Sequence, residues 1–254
     1  MVSETSERVK TGIPGLDGIL HGVFIPGSNV LVSGGAGTGK TIFCMQFLYS
    51  GAMKYGDNGV FVTLEERPKE LRREATRFGW NFEKLQEEEK LIIVDAASSK
   101  AGLPTTEPHA IRTGLDINAL AQEIYRVTKR INARRIVIDS VSGLGIRFEG
   151  IAAVRNAIFK LSSLLRELGA TSIMTSEVAE GSTGFSRYGV EEYVTDGIIF
   201  LSSKLVDNTR IRQIEVVKAR GTNHSQNVWQ FEITQNGIEV QIYQTRDRAF
   251  KRLA

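Results

Sequence analysis

Cysteine is nearly absent. Cys44 stands alone in 254 residues, so no internal disulfide can form and a disulfide-framed secreted module is excluded. Long apolar runs are missing too: no stretch approaches the roughly 20 residues that cross a bilayer. Met1 to Lys10 is polar and mixed in charge, without the apolar core of a secretory signal. Histidine is scarce, and His21, His109 and His224 have no metal-ligand spacing, so no structural zinc is expected. No Pro/Gly/Ser-rich linker, internal repeat or low-complexity segment divides the chain. Strong charge of one sign is also lacking. The net charge is +3, and much of the excess falls in Arg246, Arg248, Lys251 and Arg252 near the C-terminus. A domain-wide basic footprint, as nucleic-acid binding proteins carry, is not evident. The expectation is a soluble, cytoplasmic protein with no membrane partner. It reads as one domain over 1–254, with a core over 7–243 and a basic tail over 244–254. At 41% hydrophobic and 24% charged, the chain is long enough to bury a full core.

What is present is an alternation of apolar β-branched runs with longer amphipathic stretches. Ser28 to Ser33, Gly59 to Leu64, Leu91 to Val94, Arg135 to Asp139 and Thr171 to Thr175 read as strands. Helices are predicted from Lys40 to Tyr55, from Pro68 onward, from Leu115 to Asn132 and from Ala152 to Leu168. This order argues for an α/β fold, a mostly parallel twisted sheet flanked by helices. Beyond Thr195 the links shorten. Gly197 to Leu201, Ile211 to Lys218, Val228 to Thr234 and Ile238 to Tyr243 read as antiparallel strands added at the C-terminal end. The longest loop is 96–114, either an ordered excursion or a mobile one.

Between the first strand and first long helix lies Gly34-Gly35-Ala36-Gly37-Thr38-Gly39-Lys40-Thr41, which fits G-x-x-x-x-G-K-[ST]. Glycines let a backbone curl around an anion and aim successive N–H groups inward, and the helix N-terminus adds positive potential. Gly35, Ala36, Gly37, Thr38, Gly39, Lys40, Thr41 and Ile42 are the candidate phosphate cradle. Lys40 would hold the β- and γ-phosphates of ATP, and Thr41 would offer its hydroxyl to Mg²⁺. Ile136-Val137-Ile138-Asp139 is an apolar strand ending in a carboxylate, a Walker B pattern, so Asp139 is the second candidate at the metal. The next residue is Ser140 rather than a water-polarising glutamate, so the general base must lie elsewhere. Glu65 and Glu66 close the Gly59 to Leu64 strand, on the edge that faces the ligand crevice of a parallel sheet. They could activate water, or simply begin the next helix, where acidic side chains favour the dipole.

These features, with Phe78-Gly79-Trp80, the run from Ser186 to Asp196 (SRYGVEEYVTD) and that from Lys218 to His224 (KARGTNH), resemble the KaiC-like ATPases of the RecA superfamily, in their ATPase half rather than their kinase half. The likeness runs from about Glu7 to Tyr243 and suggests a stand-alone, single-domain member with a RecA-like P-loop fold. It implies a ring, usually a homohexamer, with ATP at each subunit interface and ATP turnover coupled to a protein partner not identifiable from sequence. It assigns water activation to Glu65 and Glu66, and to Lys218 and Arg220 a reach into the neighbour's nucleotide, with Thr222 and His224 close by. A positioned cation at a transferring phosphoryl group can be worth ~10³ or more in rate. Without the resemblance, Lys218 and Arg220 read as a solvated basic strand end. Gln235 stands where the clock members of the family carry an acidic residue, and His21-Gly22-Val23-Phe24-Ile25-Pro26-Gly27 where the family usually carries a Gly-Gly pair before the first strand.

The kinase half of the family carries adjacent hydroxyl acceptors where this chain has Glu192 and Tyr193, so no efficient autophosphorylation is expected. The alternative reading is a recombinase-like DNA-binding ATPase of the RadA or RadB kind. Its DNA loops would be Val141 to Gly150, with Arg147 and Phe148, and Val178 to Gly189, with Phe185, Arg187 and Tyr188 beside Glu177 and Glu180. Nucleic acid is a less favoured partner than a second copy of the chain. Lys129, Arg130, Arg134 and Arg135 read as a solvated run, Cys44 as a small core residue, and Trp80 and Trp229 as packing residues.

Overall fold

The structure, a computed structural model, describes residues 8–20, 24–112, 116–146, 148, 150–179 and 181–242. The expectations placed on Met1 to Glu7, His21, Leu115, Arg147, Glu180, Tyr243 and the basic tail 244–254 lie outside the described residues. In chain order the elements are α1 (Leu16–Ile19), β1 (Asn29–Gly34), α2 (Lys40–Ser50), β2 (Gly59–Thr63), α3 (Pro68–Arg77), α4 (Phe82–Glu87), β3 (Leu91–Asp95) and α5 (Ala97–Lys100). There follow α6 (Ile117–Arg130), β4 (Arg135–Asp139), α7 (Ile151–Leu168), β5 (Thr171–Glu177), α8 (Glu191–Val194), β6 (Gly197–Val206), β7 (Thr209–Ala219), β8 (Trp229–Thr234) and β9 (Gly237–Gln241).

The nine strands form one sheet in the order β3-β2-β4-β5-β1-β6-β7-β8-β9. The first six in that order run parallel and the last three antiparallel, as the shortening links predict. Strands buried on both faces read as near-continuous apolar runs, and β1 to β4 are buried throughout. Alternate residues serve opposite layers. Phe61 joins Phe43, Phe47, Leu71 and Trp80 on the α2–α3–α4 face, while Val60 and Val62 join Leu120, Ile124, Ile158 and Leu161 on the α6–α7 face. Trp80 stacks on Phe78 at 4.8 Å and on Tyr49 at 5.9 Å, so it is a packing residue as expected. Cys44 is buried.

Several elements depart from the sequence expectation. The helix expected to Tyr55 is regular only to Ser50 and then widens into a π turn over Gly51–Tyr55. The widening falls where the guanidinium of Arg135 donates to Phe47 O at 2.9 Å. Arg135 itself corrects the reading of a solvated run. It is fully buried, held by Asp57 Oδ2 at 2.8 and 3.0 Å, and lies over the rings of Phe47 and Tyr55. The loop after β3 is an ordered excursion over its described part. Its residue Ala110 forms a parallel bridge with Asp95, whose buried carboxylate accepts from Ser98 N at 2.9 Å and Thr105 Oγ1 at 2.8 Å. The β6–β7 ribbon is longer than predicted at both ends, and α4 was not predicted; Asn81 caps α4 by accepting from Lys84 N at 2.9 Å.

Candidate functional site

The carboxyl ends of the parallel strands form one edge of the sheet, and the glycine loop leaves β1 there. Gly39 sits at φ 100° as the cap of α2, a backbone conformation that side-chain-bearing residues rarely adopt. The loop thereby turns directly into the helix, leaving Lys40 and Thr41 in its first turn. Lys40 Nζ lies over the loop and donates to Gly34 O at 3.0 Å and Gly35 O at 2.8 Å. Burial lowers its pKa, opposed by the nearby charges of Glu177, Asp139 and Glu65.

Asp139, at the end of β4, receives Thr41 Oγ1 at 2.7 Å on Oδ2 and the hydroxyl of Thr175 on Oδ1. Burial pushes its carboxyl pKa up, and the hydrogen bonds from Thr175 and Thr41 oppose that. Glu65 and Glu66 follow β2 on the same edge. Glu65 Oε1 accepts from Ser140 Oγ at 2.9 Å. Glu66 is half-buried, and burial, with Glu74, Asp139, Glu70 and Glu65 around it, pushes its carboxyl up to about 7.

These groups surround an open hollow of about 600 Å³ lined by the glycine loop, Lys40, Thr41, Ile42, Glu65, Glu66, Asp139 and Ser140. Glu177, Glu74, Arg212 and Ile233 also line it. Sequence reasoning did not place those four in a nucleotide site. Glu177 closes β5 on the same edge, so the strand-end argument that found Glu65 applies to it. Arg212 and Ile233 come from β7 and β8, where no local motif marks them.

The hollow suits a magnesium nucleotide. A threonine hydroxyl and a carboxylate converge at its base, and Mg²⁺ takes one or two such protein oxygens and completes its shell with phosphate and water. Among the described residues no cluster of three His, Cys, Asp or Glu forms an all-protein cage. The Nε of Arg212 is buried without a hydrogen-bond partner among the described residues, a free donor of the kind an anion takes up.

Lys218, Arg220, Thr222 and His224 do not join this hollow. Lys218 pairs with Ile198, which pairs with Leu31, and Arg220 N donates to Asp196 O at 2.9 Å, level with the start of β1. They lie towards the opposite edge of the sheet, roughly 15 Å from the cradle along the strand direction. Lys218 has the closer contacts of the two cations. Its Nζ donates to Glu192 O at 2.8 Å and Thr195 O at 2.7 Å, and desolvation lowers its pKa. Arg220 is 3.6 Å from Asp196, Thr222 accepts from Arg8 at 2.6 Å, and His224 Nδ1 is 3.3 Å from Gln226.

The aromatic residues considered for DNA stacking are used internally. The Tyr188 hydroxyl donates to Ser142 O at 2.8 Å, and Phe185 packs edge-on against Phe200 at 5.4 Å. No described helix is long and apolar enough to cross a membrane.

Residues 9–245 match the family described as "ATPase: KaiC". The circadian clock oscillator protein KaiC of Synechococcus elongatus is 40% identical over 233 residues, 92% of this chain and 44% of that protein. KaiC of Parathermosynechococcus lividus is 38% identical over 233 residues, 92% of this chain and 42% of that protein. The chain thus spans less than half the length of these curated relatives. The crystal structure of a KaiC-like protein from the hyperthermophilic archaeon Pyrococcus horikoshii superposes with a TM-score of 0.81 at 42% identity, covering 92% of this chain and 99% of that one.

Proposed function

The chain belongs to the KaiC family of ATPases, and from that premise we propose that it binds ATP with Mg²⁺ and hydrolyses it at sites shared between copies of itself. The observation that carries this is the convergence of Lys40, Thr41, Asp139, Glu65 and Glu66 on one hollow at the carboxyl edge of the sheet. The loop N–H groups and Lys40 hold the phosphates, exchanging the carbonyl contacts of Lys40 for phosphate oxygens. Thr41 and Asp139 hold the metal, which when bound neutralises charge developing on the phosphate oxygens. Glu65 and Glu66 orient and deprotonate the attacking water. The unpaired Arg212 Nε offers a further donor to the nucleotide from the same chain.

Completion by a second copy follows from where the remaining cations lie. Lys218 and Arg220 are on the far edge of the sheet, too distant to act in their own cradle. In a ring, hexameric by likeness to the family, that edge supplies the next subunit's site, and turnover drives conformational change read by a protein partner. Residues 1–254, with their core over 7–243, act as one ATPase domain.

The same chain is not expected to phosphorylate itself efficiently. Glu192 has no hydroxyl and its carboxylate is bound to Phe185 N and Ser186 Oγ, while Thr195 is fully buried with its hydroxyl donating to Glu191 O at 2.8 Å. Incubation with γ-labelled ATP followed by peptide mapping should find no stoichiometric phosphate on Tyr193, Thr195 or their neighbours.

The deciding test is phosphate release by the protein and by Glu65→Gln/Glu66→Gln. The amide keeps the shape of the carboxylate but cannot accept the proton of water. ATP should stay bound while turnover falls roughly 10²- to 10⁴-fold. Unchanged turnover would move the base elsewhere, and no turnover by the parent chain would leave only a nucleotide-binding protein.

A further inference from the structure

The carboxylate of Glu191 is completely buried, and nothing in the chemistry above uses it. Among the described residues its partners are a hydroxyl and two main-chain N–H groups rather than a cation. Ser176 Oγ donates to Oε1 at 3.0 Å, Tyr188 N to Oε1 at 3.3 Å and Val190 N to Oε2 at 3.1 Å. Burying a charge in this way is costly unless its acceptor sites are filled, so the geometry of the turn before α8 is tightly specified by that one group.

The turn leads directly to Lys218. The ammonium is fixed by two carbonyls, those of Glu192 and Thr195, that flank the end of α8. Thr195 is tied back to the same helix through Glu191 O. On the other side Glu191 is anchored to Ser176 of β5. The strand neighbours of that serine both face the nucleotide site: Thr175 holds Asp139, and Glu177 lines the hollow. One buried carboxylate therefore joins the strand end beside the cradle to the turn that carries the distant lysine.

We propose that Glu191 is a positioning residue for Lys218. It shapes the α8 turn whose carbonyls hold the ammonium at the place from which it enters the site of a second copy. The proposal deepens the shared-site reading above and rests on it. Its particular demand is directional: Glu191 matters in the subunit that donates Lys218, not in the subunit whose cradle holds the nucleotide.

Glu191→Gln keeps the volume and one acceptor, but sets an amide N–H₂ against a main-chain N–H that has lost its partner. Subunit mixing separates the two roles. In the parent mixture, Lys40→Ala chains have a dead cradle and an intact Lys218, and Lys218→Ala chains the reverse. Phosphate release at exchange equilibrium should exceed that of either variant alone. Glu191→Gln is then placed in the Lys40→Ala chain or in the Lys218→Ala chain, and thermal melting of both double variants checks that the fold is equally kept. Donor placement should lower the recovered rate roughly 10- to 100-fold, the range expected when a catalytic group is displaced by about an ångström. Acceptor placement should leave it near the parent level. Equal losses in both placements, or none in either, would overturn the proposal and make Glu191 a fold staple only. If the parent mixture recovers nothing, the shared-site reading itself fails, and the role of Glu191 falls with it.

Discussion

At Glu66 the protein holds a carboxyl group whose protonation changes near neutrality. Burial comes first among the causes, followed by Glu74, Asp139, Glu70 and Glu65, and together they raise it from 4.5 to about 7. A raised carboxylate pKa means the folded chain holds a proton that the unfolded chain has lost. The stabilisation it gives is complete below about 4.5 and is lost as the pH rises through about 7. Catalysis runs the other way, because a water-activating carboxylate must be ionised. In the ligand-free enzyme the pH profile of kcat/KM should therefore climb through about pH 7, and Glu66→Gln should remove that limb. The same variant should reduce the loss of thermal stability between pH 4.5 and 7. A profile flat across that range in the parent enzyme would take Glu66 out of the proton-accepting role. The position of this residue was legible from the end of a strand. Its neighbour Glu74 lies in the second turn of α3, and its acidic surroundings follow from the fold.

At the scale of elements, apolar runs marked all nine strands; the parallel strands β1 to β4 are covered on both faces, which writes near-continuous β-branched runs into the chain, while β7 and β8 are only partly buried. Ends were less legible. The β6–β7 ribbon extends into Lys204, Leu205, Arg210 and Ala219 because its ladder needs only main-chain groups. The π turn after α2 was invisible locally for a similar reason. It coincides with Arg135, whose partner Asp57 lies 78 positions earlier, a pairing no sequence window contains. Read from its neighbours Lys129, Arg130 and Arg134, Arg135 belongs to a charged surface. Read in place, it fills the space beside Gly51, where an added Cβ would come within 2.5 Å of its side chain. Gly51→Ala should therefore push Arg135 off Asp57 and cost about 1–3 kcal/mol. Arg135→Ala should cost about 3–5 kcal/mol, since it leaves Asp57 buried with only the exposed Arg134, 3.6 Å away, as its ion-pair partner. Denaturant midpoints of the two variants check both values, and a neutral Gly51→Ala would show that the turn has room to spare.

Across the whole molecule, the cradle was legible as a contiguous motif, whereas the separation of Lys218 and Arg220 from it was legible only through the family resemblance, since locally they read as a strand end and strand register is what places them at the other edge. That placement makes a test by mixing possible. Arg220→Ala has an intact cradle and lacks a cation, and Lys40→Ala the reverse. Each should be nearly inactive alone, and their mixture should regain part of the parent turnover. Mixing without any recovery after subunit exchange would contradict a site built by two copies. The two edges also give the assembly a head and a tail. A pair related by a two-fold axis cannot present the tail of each copy to the head of the other through one self-complementary patch. A head-to-tail pair completes one cradle and leaves one idle, and each further copy completes one more. Only closure of the row leaves no idle cradle, so output per subunit rises with the length of the row and reaches its limit when the circle shuts.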